Sequence, residues 1–338
     1  MTSRELVKAT LEFAGPARIP RQLWLLPWAA AHYPQELRRI QQTFPDDIVS
    51  APAFYRTPPK TVGDMYAPGV YVDEWGCRFE NAEPGIIGIV QEPLLHDWQD
   101  VDKIRMPEEL LSVDVEQVNA FCRSTDQFVF SGCGPRPFEQ LQFIRTTENL
   151  LLDLARQPAE LFVLLGRMHQ FYCRQLELWA NTAVDALTFL DDWGMQTSML
   201  ISPAMWRKLF KPLYRDYIEI AHAHGKYAFM HSDGYILDIL PDLIEIGLDA
   251  INAQTFCMDL QQLSARCKGK ITFWGEMDRQ YLLPQGTPAE IIAAVQSVQA
   301  ALYANGGVIA QCEFGPGAKP ENVYLVFETW EKLFQNSK

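Results

Sequence analysis

From about residue 127 onward, short apolar runs alternate with long amphipathic stretches. The runs are QFVFSG (127–132), DALTFLDD (185–192), KYAFMHSD (226–233), DAINAQ (249–254), KITFWGE (270–276) and GVIAQCE (307–313). Each is apolar along its length and ends in polar or small residues, the pattern of a parallel strand covered on both faces. The stretches between them carry helix start and stop signals. Ser202-Pro203 opens a helix with a capping serine and a first-turn proline, and Gly225 stops it. Thr287-Pro288-Ala289-Glu290 is a capping box, and Pro320-Glu321 begins a last helix running to about Leu333.

Six such repeats, with candidate strands at RQLWLL (21–26) and DDIVSAP (46–52), make eight. That number predicts a single α/β domain over residues 1–338, a (β/α)8 TIM barrel. A doubly wound sheet would carry a glycine-rich phosphate loop after its first strand, and neither GxGxxG nor GxxxxGK[ST] occurs. Residues 53–110, rich in proline, glycine and aromatics, break the rhythm and are expected to form an insertion over the carboxyl-terminal mouth of the barrel.

Charge narrows the partners. With 42 acidic residues against 29 basic ones the formal net charge is −13, which disfavours nucleic acid and anionic membranes. Seven single cysteines, none at metal-knuckle spacing, argue against a disulfide framework. The first residues, MTSRELVKAT, are polar and helical in pattern, and no apolar run approaches the ~20 residues that span a bilayer. A cytoplasmic protein is expected.

In a barrel of this kind the chemistry sits at the carboxyl ends of the strands. The shortlist there is Asp191, Asp192 and Trp193; His231 and Asp233; Asn252 and Gln254; Glu276 and Asp278; Cys312 and Glu313. In FMHSDG, His231 and Asp233 are two positions apart, so a strand would point both to one face. Histidine, aspartate and cysteine are all zinc ligands, and three of them with one open position describe a catalytic site. The competing reading is a core histidine satisfied by a nearby aspartate, with Cys312 a small buried hydrophobe. Asp191 and Asp192 face opposite sides of a strand, so one of them points into the site.

These residues lie within stretches that resemble the uroporphyrinogen decarboxylase superfamily. The likeness is carried by DEWGCRFEN (73–81), FLDDWGMQTSMLISPAMWRKLFKPLYR (189–215), KYAFMHSDGYILDILPDLIEIGLDAIN (226–252), FWGEMDRQYLLPQGTP (273–288) and PENV (320–323). The family fold is a (β/α)8 barrel. True decarboxylases grip their substrate with an R-Q-A-G-R motif, which LLPWAAAHYP replaces here without either arginine, and their late Gly-His-Gly is absent. The corrinoid-dependent methyltransferase branch is closer. It binds zinc through His-x-Cys and a late cysteine, which His231 and Cys312 match, with Asp233 standing where the middle cysteine would be.

The resemblance implies zinc held by His231, Asp233 and Cys312. Asp192, Glu276 and Asp47 are then the catalytic candidates: Asp192 to position or protonate substrate, Glu276 as extra ligand or general base, and Asp47 at the place of the decarboxylase aspartate. Trp24, Trp193, Asn252 and Gln254 are the substrate-binding candidates. The expected function is a zinc-dependent methyltransferase moving a methyl group between a corrinoid protein and a small thiol or hydroxyl acceptor. No D-x-H-x-x-G occurs, so a partner protein would supply the corrinoid. The alternatives are a metal-independent decarboxylase or lyase of a smaller carboxylate using Asp47 and Asp192, and a non-catalytic tetrapyrrole or corrinoid binder.

Overall fold

A computed structural model describes residues 1–335. Eight parallel strands form the barrel: β1 (Arg21–Leu25), β2 (Ile48–Ser50), β6 (Phe128–Phe130), β7 (Ala186–Leu190), β8 (Tyr227–Ser232), β9 (Ala250–Ala253), β10 (Thr272–Trp274) and β11 (Val308–Phe314). Their order is β1-β11-β10-β9-β8-β7-β6-β2. The last seam, β1 against β2, is bridged by the Asp47 N–H donating to the Arg21 carbonyl at 2.9 Å and the Leu23 N–H donating to Asp46 Oδ1 at 2.7 Å. The eight apolar runs are therefore the eight strands, in a nearly closed TIM barrel.

Two apolar layers follow from the two-residue alternation of side chains along a strand. Ile48, Phe128, Phe130, Ala186, Phe229, Ala250, Trp274 and Ile309 fill the interior. Their neighbours Val129, Leu187, Phe189, Met230, Ile251, Phe273, Val308 and Ala310 face the helices. This parity decides which strand-end residue reaches the mouth.

The helices start where their caps place them. Thr287 accepts from the Glu290 N–H and the Glu290 carboxylate accepts from the Thr287 N–H, opening Pro288–Leu302. The helix begun at Ser202 departs from the single span predicted: it runs Pro203–Leu209, breaks at Phe210, and resumes as Lys211–Ala223. Pro212, with no N–H to donate, accounts for the break.

The 53–110 segment holds a small antiparallel sheet of β3 (Gly69–Val72), β4 (Arg78–Asn81) and β5 (Ile89–Val90). It leans on the barrel's helices through aromatic contacts. Trp75 meets Phe171 and Tyr172 with ring centres 5.6 and 5.8 Å apart, and Phe79 meets Phe143 at 5.0 Å. No described helix is long and apolar enough to cross a membrane.

Candidate metal centre

His231 ends β8 on the interior parity of Phe229, and Asp233 follows two residues on. Asp192 lies two residues past Leu190, the last residue of β7 and the register partner of His231. Three ligand atoms thus converge: His231 Nε2 is 3.4 Å from Asp192 Oδ1 and 3.6 Å from Asp233 Oδ1, and all three lie within 4.8 Å of one another.

Asn252 sets the imidazole. Its Nδ2 donates to the Trp274 carbonyl, so its Oδ1 is left facing His231 Nδ1 at 2.7 Å. Nδ1 must then carry a proton, and in the neutral ring Nε2 presents its lone pair to the two carboxylates. Trp24 closes one side, its ring centre 5.3 Å from that of His231. Exchanging Asn252 for alanine should weaken metal binding by about 10–100-fold, the usual effect of losing a histidine's outer partner. A metal titration of the N252A protein checks this, and unchanged affinity would remove Asn252 from that role.

The remaining charges surround the group. Arg279 pairs with Asp233 Oδ2, and its Nη1 lies 3.3 Å from both Glu276 Oε1 and Glu313 Oε2. Burial pushes the Glu276 carboxyl up to about 7, with Arg279 opposing the shift. Burial disfavours the imidazolium of His231, but Asp192, Asp233 and the Asn252 oxygen outweigh it and raise the ring to about 10. Without a metal the centre is therefore a protonated histidine held between two carboxylates.

The residues fit a metal ion. Ligands about 2.0–2.2 Å from a tetrahedral ion stand roughly 3.3–3.6 Å apart, which matches the spacing of Nε2 from the two oxygens. The same distances are long for hydrogen bonds. Asp233 Oδ1 is buried and has no hydrogen-bond partner, an unsatisfied acceptor aimed at the centre. One imidazole nitrogen and two carboxylate oxygens suit zinc, and equally manganese or iron(II), all of which accept nitrogen and oxygen donors.

Cys312 corrects the expected ligand set. It lies on the parity of Ala310 and Phe314, fully buried in the layer between strands and helices. Burial pushes its thiol up, and its place on the helix-facing parity of the strand directs it away from the mouth. Glu313, one residue on, takes the inward position at the register of Trp24, and Asp192 supplies the third ligand atom.

Two other candidates are also directed elsewhere. Asp47 precedes β2, at the amino end of the barrel, where its carboxylate accepts from Arg18 Nη1 and Nη2 at 2.6 Å each, Ser3 Oγ at 2.6 Å and the Arg21 N–H at 2.9 Å. It fastens the bottom of the barrel and cannot serve chemistry at the mouth. Trp193 is fully buried, stacked on Phe138 at 4.1 Å with Nε1 donating to the Tyr214 hydroxyl at 3.0 Å. It belongs to the helix layer. Gln254 accepts from the Gly234 N–H at 3.0 Å and so braces the backbone after Asp233.

The chain also brings residues that the strand-end reading passed over. Arg279 follows Glu276 by three positions. Glu139, in the helix Pro137–Arg145 after β6, is raised by burial and faces Arg136 as well as Asp192 and His231.

The fold is an eight-stranded parallel barrel, and the histidine and two aspartates at its mouth form a group that could hold a metal ion. The family model described as "Uroporphyrinogen decarboxylase (URO-D)" matches residues 70–333, and the chain belongs to that family. Among solved structures it is similar to a methyltransferase from Methanosarcina mazei, with 14% identity, 99% of each chain covered and a TM-score of 0.69. It is more distantly similar to a B12-independent methionine synthase from Shewanella sp. W3-18-1, at 12% identity, 95% of this chain and 96% of that one, and a TM-score of 0.46. No curated protein matches the sequence.

Proposed function

We propose that the chain is a metal-dependent methyltransferase that moves a methyl group between a corrinoid protein and a small acceptor bearing a thiol or hydroxyl. The observation that carries this reading is the convergence of His231 Nε2, Asp192 Oδ1 and Asp233 Oδ1 at the barrel mouth. These three atoms would hold the ion, with zinc the metal that the resemblance to the corrinoid-dependent methyltransferase branch implies. When bound, the ion supplies Lewis acidity and lowers the pKa of a thiol, hydroxyl or water on it.

The chain's own groups do the rest. Glu276, nearly fully buried and poised at about 7, has Oε2 free of any partner and accepts the proton of the acceptor. Arg279 pairs with Asp233, Glu276 and Glu313 and holds their carboxylates in place. The fold likeness to the Methanosarcina mazei methyltransferase supports methyl transfer over other metal-assisted chemistry. The metal-free lyase reading is weakened because Asp47, one of its two acids, is engaged at the other end of the barrel.

Metal binding should displace the proton from His231 Nε2. Because the metal-free ring is raised to about 10, it is charged throughout the neutral range. Metal affinity should therefore climb about tenfold per pH unit between roughly pH 7 and 9, with close to one proton released per ion. Calorimetric titration with zinc in buffers of different ionisation enthalpy measures that number. A value near zero would count against His231 as a ligand. Metal-loaded protein should also consume free methylcobalamin in the presence of 2-mercaptoethanol, and loaded protein with no such turnover would count against methyl transfer.

A further inference from the structure

A cavity lies between the 53–110 insertion, the loop after β6 and the helix Ala159–Ala180. It holds about 360 Å³, at the small end of ligand sites. Two opposite charges face it without meeting. Arg136 is held by Glu139 through Nη1 at 3.1 Å and lies 5.6 Å over the Phe143 ring, and the other donors of its fork have no hydrogen-bond partner among the described residues. Glu74, which lines the same cavity from the insertion, makes no hydrogen bond or ion pair through its carboxylate among the described residues, and its charge acts on Arg136. Its backbone is nevertheless fixed. Asp73 Oδ1 accepts from the Trp75 and Cys77 N–H groups at 3.0 and 2.6 Å, and the Glu74 carbonyl accepts from Arg105.

The rest of the wall fits one kind of guest. Tyr55 and Tyr71 bring phenol rings to the side near Glu74, whose charge acts on both hydroxyls. Gln175, largely buried, adds an amide with no hydrogen-bond partner among the described residues. An anion alone would be drawn to Arg136 and repelled by Glu74, and a cation alone would meet the reverse. A ligand with both charges pairs with each, so the cost of desolvating the two side chains is offset on both sides.

We propose that this cavity is a binding site for a small zwitterion of amino-acid type, with its carboxylate on Arg136 and its ammonium on Glu74 between the rings of Tyr55 and Tyr71. The aromatic faces add attraction for the ammonium. The assignment goes beyond the methyl-transfer reading and stands on this cavity's own charges, with or without the metal. Arg136 and Glu139 connect the two sites, since Glu139 is bonded to Arg136 and also feels Asp192 and His231.

The test is a thermal-shift screen of the twenty free amino acids on the intact chain, run as purified and again after EDTA. Calorimetry of the best binder would follow, against its own N-acetyl and carboxamide derivatives. At least one amino acid should bind in both preparations, with each derivative roughly tenfold weaker or worse. In the Glu74→Gln variant the N-acetyl form should bind as well as its parent. Because Arg136 also supports Glu139, the derivative series on unchanged protein carries the test if an Arg136 variant folds poorly. No binding by any amino acid at about 10 mM, or derivatives that bind as tightly as their parent, would overturn the proposal.

Discussion

His231→Ala should empty the metal centre and abolish methyl transfer. The imidazole is the only nitrogen donor of the three-residue group, and the carboxylates of Asp192 and Asp233 owe much of their charged character to it. Loss of an outer partner already costs about 10–100-fold in metal affinity, and loss of a ligand should exceed that. A second effect follows from electrostatics. Without either imidazolium or metal, two half-buried carboxylates face each other with Arg279 as their remaining cation, and one of them should take up a proton. Metal analysis of the purified variant, with infrared detection of a protonated carboxyl, measures both. A variant that keeps wild-type metal would show that His231 is not a ligand.

Asp191→Ala should be the most destabilising single change near the site. The carboxylate is fully buried and accepts three hydrogen bonds, from the Phe138 N–H at 2.9 Å, the Glu139 N–H at 2.7 Å and the Tyr214 hydroxyl at 2.5 Å. Two of these donors are the first free N–H groups of the helix Pro137–Arg145, so Asp191 anchors its start against β7. Alanine leaves all three donors buried and unpaired, at about 1–3 kcal/mol each before relaxation. A loss on the order of 3 kcal/mol or more is expected, and at roughly 2–4 °C per kcal/mol the melting temperature should fall by about 6 °C or more. Glu139 and Arg136 ride on the same helix start, so the variant should loosen both sites at once. A melting temperature within about 2 °C of wild type would contradict the anchor.

The barrel was legible because strand and helix periods differ and each apolar run is bounded by polar residues. The convergence of His231 and Asp233 was legible for the same reason, since they share a face, while Asp192, expected to position or protonate substrate, is the third residue of the group. Cys312 was misplaced by one step of that same alternation. GVIAQCE shows a cysteine near the strand end but not which residue of the run faces inward, and the resemblance weighted the thiol over Glu313. Asp47 was misread along the strand axis. DDIV puts the acid before the apolar residues, hence at the bottom of a parallel strand, and its likeness to a catalytic aspartate obscured this. Arg279 lies in a loop, and Arg136 and Glu139 sit at the start of a helix that the loop after β6 positions; loop paths carry no period, so the three were not legible. Asn252 was marked as a substrate contact, but its bond to His231 depends on the β8–β9 register.

The central claim is a metal held by Asp192, His231 and Asp233, with Cys312 outside the set. Elemental mass spectrometry on wild type, His231→Ala and Cys312→Ala tests it most directly, with circular dichroism to confirm that each is folded. About one divalent ion per chain is expected in wild type and in Cys312→Ala, and essentially none in His231→Ala. Wild-type protein that stays metal-free in excess zinc, manganese or iron(II), or a folded Cys312→Ala protein that loses its metal, would contradict it.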